Sequence, residues 1–79
     1  MTENEIFEKI ATLIEKNFGI TKDKVTNEMD FQADLDADSI DIVEFVLELE
    51  EIFGSEISDE DAQELTTVGK AVAYITQHQ

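Results

Sequence analysis

Apolar residues recur at helical spacing in three stretches of the chain. In the first, Ile6, Phe7, Ile10, Leu13, Ile14 and Phe18 alternate with Lys and Glu, which predicts an amphipathic helix over about residues 3–18. Thr2-Glu3-Asn4-Glu5 before it has the Thr-x-x-Glu form of a capping box, and Gly19 suits the left-handed position that ends a helix. In the second stretch, Ile42, Val46, Leu49 and Phe53 stand at i, i+4, i+7 and i+11 with Phe45 beside them. This predicts a helix from about Ser39 to Phe53 with one core face, ended by Gly54. Ser58-Asp59-Glu60-Asp61 signals a short helix over roughly 59–65, with Ala62 and Leu65 inward. Thr67 then caps a last helix from Val68 to about Thr76, with core face Val68, Ala71, Val72 and Ile75 and a slight weakening at Gly69. Phe7 and Phe18 read as core, and Gln77-His78-Gln79 as a fraying end.

Between the first two helices, residues 20–38 show no clean period. Ile20, Val25, Met29, Phe31 and Leu35 give this connection enough apolar side chains to pack over the core, and Val25 is the expected start of a single helical turn. The expected architecture is an all-α single domain over residues 1–79, a small bundle of three main helices and one short one.

Two features do not fit a plain bundle. Val43 and Leu47 lie one turn apart on the flank of the second helix, and with Ile40 they form a second apolar strip. Asp41, Glu44, Glu48, Glu50 and Glu51 border it. So small a core has little room for two strips, so exposure as a contact surface is expected, against the alternative that loop residues cover it. The other feature is Asp34-Leu35-Asp36-Ala37-Asp38-Ser39-Ile40-Asp41. Asp38 is a good N-cap, which puts Ser39 at the first helical position with its hydroxyl at the positive end of the helix dipole. A phosphate ester is electrostatically favoured there.

Charge sharpens this picture. The chain has 5 Lys plus Arg against 20 Asp plus Glu, a formal net charge of −15. No basic residue lies between Val25 and Gly69, where 15 of the acids sit, so the flanks cancel and the middle carries the whole imbalance. Nucleic acid and anionic membranes are poor partners for such a surface, and basic protein surfaces are good ones. Acidity for solubility alone is the blander reading. The 42% hydrophobic content supports one core rather than disorder. No apolar run approaches the ~20 residues of a membrane span. The acidic N-terminus is unlike a signal peptide, so a cytoplasmic location is expected.

Enzymatic chemistry finds little support. There is no cysteine, and the only histidine is His78. Ser39 therefore lacks the base a nucleophilic serine needs, and no Gly-x-Ser-x-Gly elbow is present. Asp34, Asp36 and Asp38 match the first three ligand positions of an EF-hand loop. The Gly and the bidentate Glu that the loop also requires are replaced by Ser39 and Phe45, so no dedicated metal site is expected beyond weak divalent association.

What remains is a serine used as an attachment point. Asp38-Ser39-Ile40 in its acidic setting resembles the prosthetic-group site of acyl carrier proteins of dissociated bacterial fatty acid synthesis. The resemblance continues through Val43-Glu44-Phe45-Val46, Leu49-Glu50-Glu51-Ile52-Phe53 and Glu56-Ile57-Ser58-Asp59-Glu60-Asp61-Ala62 to Thr66-Thr67-Val68 and Ala73-Tyr74-Ile75. It departs from the commonest pattern at Asp36, where Gly is usual, at Ile40, where Leu is usual, and at Ser58, where Pro is frequent.

The resemblance implies a carrier, not an enzyme. A phosphopantetheinyl transferase would place 4′-phosphopantetheine from coenzyme A on Ser39, and acyl intermediates would travel on it as thioesters to fatty acid synthesis enzymes. It implies a partner face of Asp38, Ile40, Asp41, Val43, Glu44, Leu47, Glu50 and Glu51, set against basic enzyme surfaces. It implies an acyl pocket walled by Phe31, Val46, Leu49, Ile57, Ala62, Leu65 and Tyr74, in a monomer without membrane insertion. A carrier for polyketide or peptide synthesis uses the same serine and is the near alternative. An acidic interaction or ion-buffering module explains the charge but not the serine.

Overall fold

The computed structural model describes residues 1–78, which form four helices and no strand. Helix α1 spans Glu3–Phe18, α2 Ser39–Phe53, α3 Asp59–Glu64 and α4 Val68–His78. The capping chemistry sets the boundaries. At α1, Thr2 Oγ1 accepts from the Glu5 N–H at 3.2 Å, while the Thr2 N–H donates to Glu5 Oε1 at 3.0 Å. The bond from the Thr2 N–H, with a smaller contribution from the Thr2 side chain, holds the Glu5 carboxyl below its ordinary pKa. Gly19 and Gly54 end α1 and α2 at φ 71° and 65°, a left-handed backbone that glycine adopts without the Cβ clash.

Three expectations shift. Helix α3 stops at Glu64, and Leu65 caps it from outside the helix. Helix α4 runs to His78 instead of fraying after Thr76: His78 Nδ1 lies 2.8 Å from the Tyr74 carbonyl oxygen, and the two rings stack at 4.1 Å. The last expected fraying residue, Gln79, lies outside the described residues. The single turn in the long connection is a 3₁₀ turn over Lys22–Lys24, and Val25 ends it rather than starting it. Lys22 ties that turn to α1 through Glu8 at 2.8 Å, which raises the Lys22 pKa.

The core is filled from α1 by Ile6, Ile10, Ala11, Leu13 and Ile14, and from α4 by Val68, Ala71, Val72 and Ile75. Helix α2 contributes Phe45, Val46 and Leu49, and the expected core residues at its two ends, Ile42 and Phe53, are only half-buried. The expected face is thus turned slightly towards Phe45. The ring of Phe45 is buried against Phe31 at 5.1 Å and Phe18 at 6.2 Å.

The connection between α1 and α2 packs on the bundle. Val25, Phe31, Leu35 and Ala37 are buried. Its backbone pairs with the α3–α4 link: the Phe31 N–H donates to the Thr66 carbonyl, Val68 to Met29 and Gly69 to Asn27, at 3.0, 3.0 and 2.8 Å. Gly69 has a reason here beyond helix propensity. A Cβ on it would stand 3.0 Å from the Asn27 carbonyl oxygen, so the connection could not approach α4 this closely.

Candidate functional site

Alternation places the residues leading into α2. Leu35 and Ala37 are buried, while Asp34, Asp36, Asp38 and Ser39 are exposed. The apolar members anchor the loop, and its polar members reach solvent. The loop is tightly wound: the Asp34 and Leu35 N–H groups both donate to the Asp30 carbonyl, and Ala37 donates to that of Phe31. Asp30 Oδ1 accepts from Gln32 and Ala33, and Asp34 Oδ2 accepts from the Asp30 N–H. Asp36, where the resemblance led to an expected Gly, takes φ 53°, the one positive φ among the described non-glycine residues. Aspartate tolerates this conformation better than most residues.

At the helix start, Asp38 and Asp41 form a reciprocal cap. Asp38 Oδ1 accepts from the Asp41 N–H at 2.9 Å, and the Asp38 N–H donates to Asp41 Oδ2 at 3.3 Å. The first intrahelical bond runs from Ile42 to the Asp38 carbonyl at 3.0 Å. The N–H groups of Ser39 and Ile40 therefore precede the ladder. The Ser39 hydroxyl has no hydrogen-bond partner among the described residues. An exposed, unengaged hydroxyl beside free helix N–H groups fits a phosphodiester, which needs an accessible oxygen and donors for its own oxygens.

Along α2, Ile40, Val43 and Leu47 are 69%, 56% and 57% exposed, so no loop covers the strip. Asp38, Asp41, Glu44 and Glu51 are exposed around it. Glu50 is half-buried and turns towards a surface groove shared with Glu56, Asp61 and Tyr74. Glu48 leaves the border altogether: it accepts from Asn17 Nδ2 at 2.6 Å and pairs with Lys16 at 3.5 Å, tying α2 to α1. Ile52 is also exposed, but twelve residues on from Ile40 it lies about a third of a turn off the strip.

Inside the bundle is an apolar cavity of about 10 Å³, roughly room for one water-sized sphere. Phe31, Val46, Leu49 and Leu65 line it, as four of the seven expected pocket residues. Ile57, Ala62 and Tyr74 do not. Its other walls are Phe18, Ile42, Phe45 and Ala71, which periodicity identifies only as core. Tyr74 is half-buried on α4 and faces α3. Its hydroxyl donates to Asp61 Oδ2 at 2.9 Å and stands 3.4 Å from the Glu56 carbonyl, and the bond to Asp61 raises the phenol pKa.

The comparisons with known proteins agree with this geometry. Residues 8–75 match the phosphopantetheine attachment site family. The chain is 60% identical to the acyl carrier protein of Lactobacillus johnsonii and 56% identical to that of Lactobacillus acidophilus. Each alignment covers 100% of this chain and 99% of the relative. The solved structure of the acyl carrier protein from Enterococcus faecalis superposes with a TM-score of 0.87 at 51% identity, covering 100% of both chains. The capped helix start, the four-helix bundle and these full-length matches converge: the chain belongs to the acyl carrier protein family, carriers rather than enzymes, with a covalently attached 4′-phosphopantetheine.

Proposed function

We propose that Ser39 is the residue that bears the 4′-phosphopantetheine, and that the protein delivers acyl intermediates to fatty acid synthesis enzymes in the cytoplasm. The observation that carries this reading is the Ser39 hydroxyl, exposed and unengaged at the first position of a reciprocally capped helix. When bound, the group supplies a terminal thiol on which acyl chains ride as thioesters. The chain's own residues do the rest. Asp38 and Asp41 hold the helix start rigid, and Leu35 and Ala37 anchor the approach to it. Ile40, Val43 and Leu47, ringed by Asp38, Asp41, Glu44 and Glu51, offer partners an apolar strip inside an acidic rim, with Glu50 at its inner edge. Basic enzyme surfaces, including that of a phosphopantetheinyl transferase, complement such a face. Phe31, Val46, Leu49 and Leu65 wall the interior in which an acyl chain would be sheltered.

The test is intact mass after incubation with coenzyme A and a phosphopantetheinyl transferase. Wild type should gain one phosphopantetheine. Ser39→Ala should gain none while changing stability by less than about 0.5 kcal/mol, as expected for an exposed first-turn serine. Modification of the Ser39→Ala protein, or none of the wild type, would overturn the assignment.

A further inference from the structure

Five aspartates fall from Asp30 to Asp41, and four of them have work inside the chain. Asp30 and Asp34 accept from backbone N–H groups of their own turn, and Asp38 and Asp41 cap α2. Asp36 is the exception: its carboxylate has no hydrogen bond or ion pair among the described residues. Its backbone does not call for aspartate either. At φ 53° a glycine would sit without the Cβ clash. Neither bonding nor conformation within the fold accounts for a carboxylate here.

What the fold does is present it. Leu35 and Ala37 on either side are buried, and the Ala37 N–H donates to the Phe31 carbonyl at 3.0 Å, so Asp36 stands exposed on a fixed stretch of backbone. A charge held in this way loses little freedom when a partner pairs with it. Asp36 lies on the loop, three residues ahead of Ser39. The exposed acids Asp38, Asp41, Glu44 and Glu51 lie at the start of α2 and along it. Ser39 is thus flanked by carboxylates from the loop as well as from the helix, and Asp36 continues the acidic rim to the side that the strip of α2 does not reach.

We propose that Asp36 pairs with a lysine or arginine of the phosphopantetheinyl transferase on the loop side of Ser39, and so belongs to the surface read by that one partner. The proposal rests on Ser39 being the attachment point. The transferase works at the Ser39 oxygen itself, so its surface must close around the serine from both sides. Enzymes that act on the acyl chain work at the far end of the arm and need not reach the loop. A base opposite Asp36 is required on a second ground. Coenzyme A brings phosphates to this place, and an unpaired carboxylate would repel them.

The probes are Asp36→Asn, which keeps the shape and tolerates the left-handed backbone, and Asp36→Gly, which suits that backbone best. Both lose the charge. Glu3→Gln loses one exposed charge on α1, outside this face. Binding of the unmodified proteins to the transferase is titrated at low salt without coenzyme A. Asp36→Asn and Asp36→Gly should each weaken binding about two- to fivefold, the factor for one exposed charge pair, and the loss should fade as salt rises. Glu3→Gln should bind as the wild type does. In loading followed by intact mass, both Asp36 variants should raise KM by the same factor and leave kcat unchanged.

Wild-type binding by Asp36→Asn would overturn the proposal, even with Asp36→Gly impaired, because the loop's shape and not its charge would then matter. A loss that salt does not reduce, or an equal loss in Glu3→Gln, would overturn it too, as would a wild type that does not bind. A wild type that binds the transferase but is not loaded would instead overturn the Ser39 assignment, and the titration would still decide Asp36.

Discussion

Leu47 and Leu49 stand two residues apart on α2 and differ in surroundings: Leu47 is 57% exposed, and Leu49 is 0% exposed and lines the cavity. Truncating each to alanine separates the partner strip from the core. Leu47 lies mostly in water, and alanine is at least as good a helix former. The cost should stay below about 0.5 kcal/mol. Leu49→Ala removes buried methyl groups beside an existing void. Phe45 and Val46, fixed on the same helix, cannot collapse into it, which places the cost at about 3–5 kcal/mol within the range for buried leucines. A chain of this size has a total stability of roughly 4–12 kcal/mol, so the second variant should approach the limit of folding. At about 4–8 °C per kcal/mol, Leu49→Ala should lower Tm by roughly 12 °C or more, and Leu47→Ala by less than about 4 °C. Urea titration followed by far-ultraviolet circular dichroism supplies the free energies, and transferase loading rates supply the functional side, where Leu47→Ala should be the slow one. A Leu47→Ala cost of about 2 kcal/mol or more would make Leu47 a core residue and remove the apolar strip from the partner face.

Other predictions concern charge. Glu44→Lys should slow association with a basic transferase about fivefold at low salt, with the difference shrinking as ionic strength rises; a salt-independent effect would point to lost shape, not charge. Tyr74 is the only tyrosine and there is no tryptophan, so tyrosinate absorbance reads one group. Its bond to Asp61 raises the folded-state pKa, so its contribution to stability is fully present below the unfolded value and is lost as pH rises through the folded one. Ionisation should begin above the usual ~10 in the folded protein and at a lower pH in Asp61→Asn, while identical curves would show the bond absent in solution. Magnesium at millimolar concentration should raise the melting midpoint more than sodium chloride of equal ionic strength, because it binds between carboxylates of the folded acidic segment. Equal midpoints would mean that the 15 acids between Val25 and Gly69 are too dispersed to share an ion.

What the sequence by itself determined is what depends on neighbours within a turn or so. Thr2 and Glu5, Gly19, Asp38 and Gly54 end their helices through bonds and dihedrals spanning a few residues, so the limits of α1 and α2 and the place of Ser39 were legible before any packing was known. The Asp38–Asp41 reciprocal bond was there to be read as well, in the Asp-x-x-Asp spacing. Charge segregation is likewise a property of the string. Tertiary structure decided how the helices are rotated and what bridges them. Periodicity places Ile42, Phe45, Val46, Leu49 and Phe53 on one side of α2, but only the packing of Phe45 between Phe18 and Phe31 sets which of them are deepest. It turned Glu48 from the rim to Asn17 on α1, 31 residues away in sequence, and gave Gly69 its close contact with Asn27. It also left Ile57, Ala62 and Tyr74, three of the expected pocket residues, outside the cavity. A cavity is the space between side chains from different elements, and no spacing along one element encodes it.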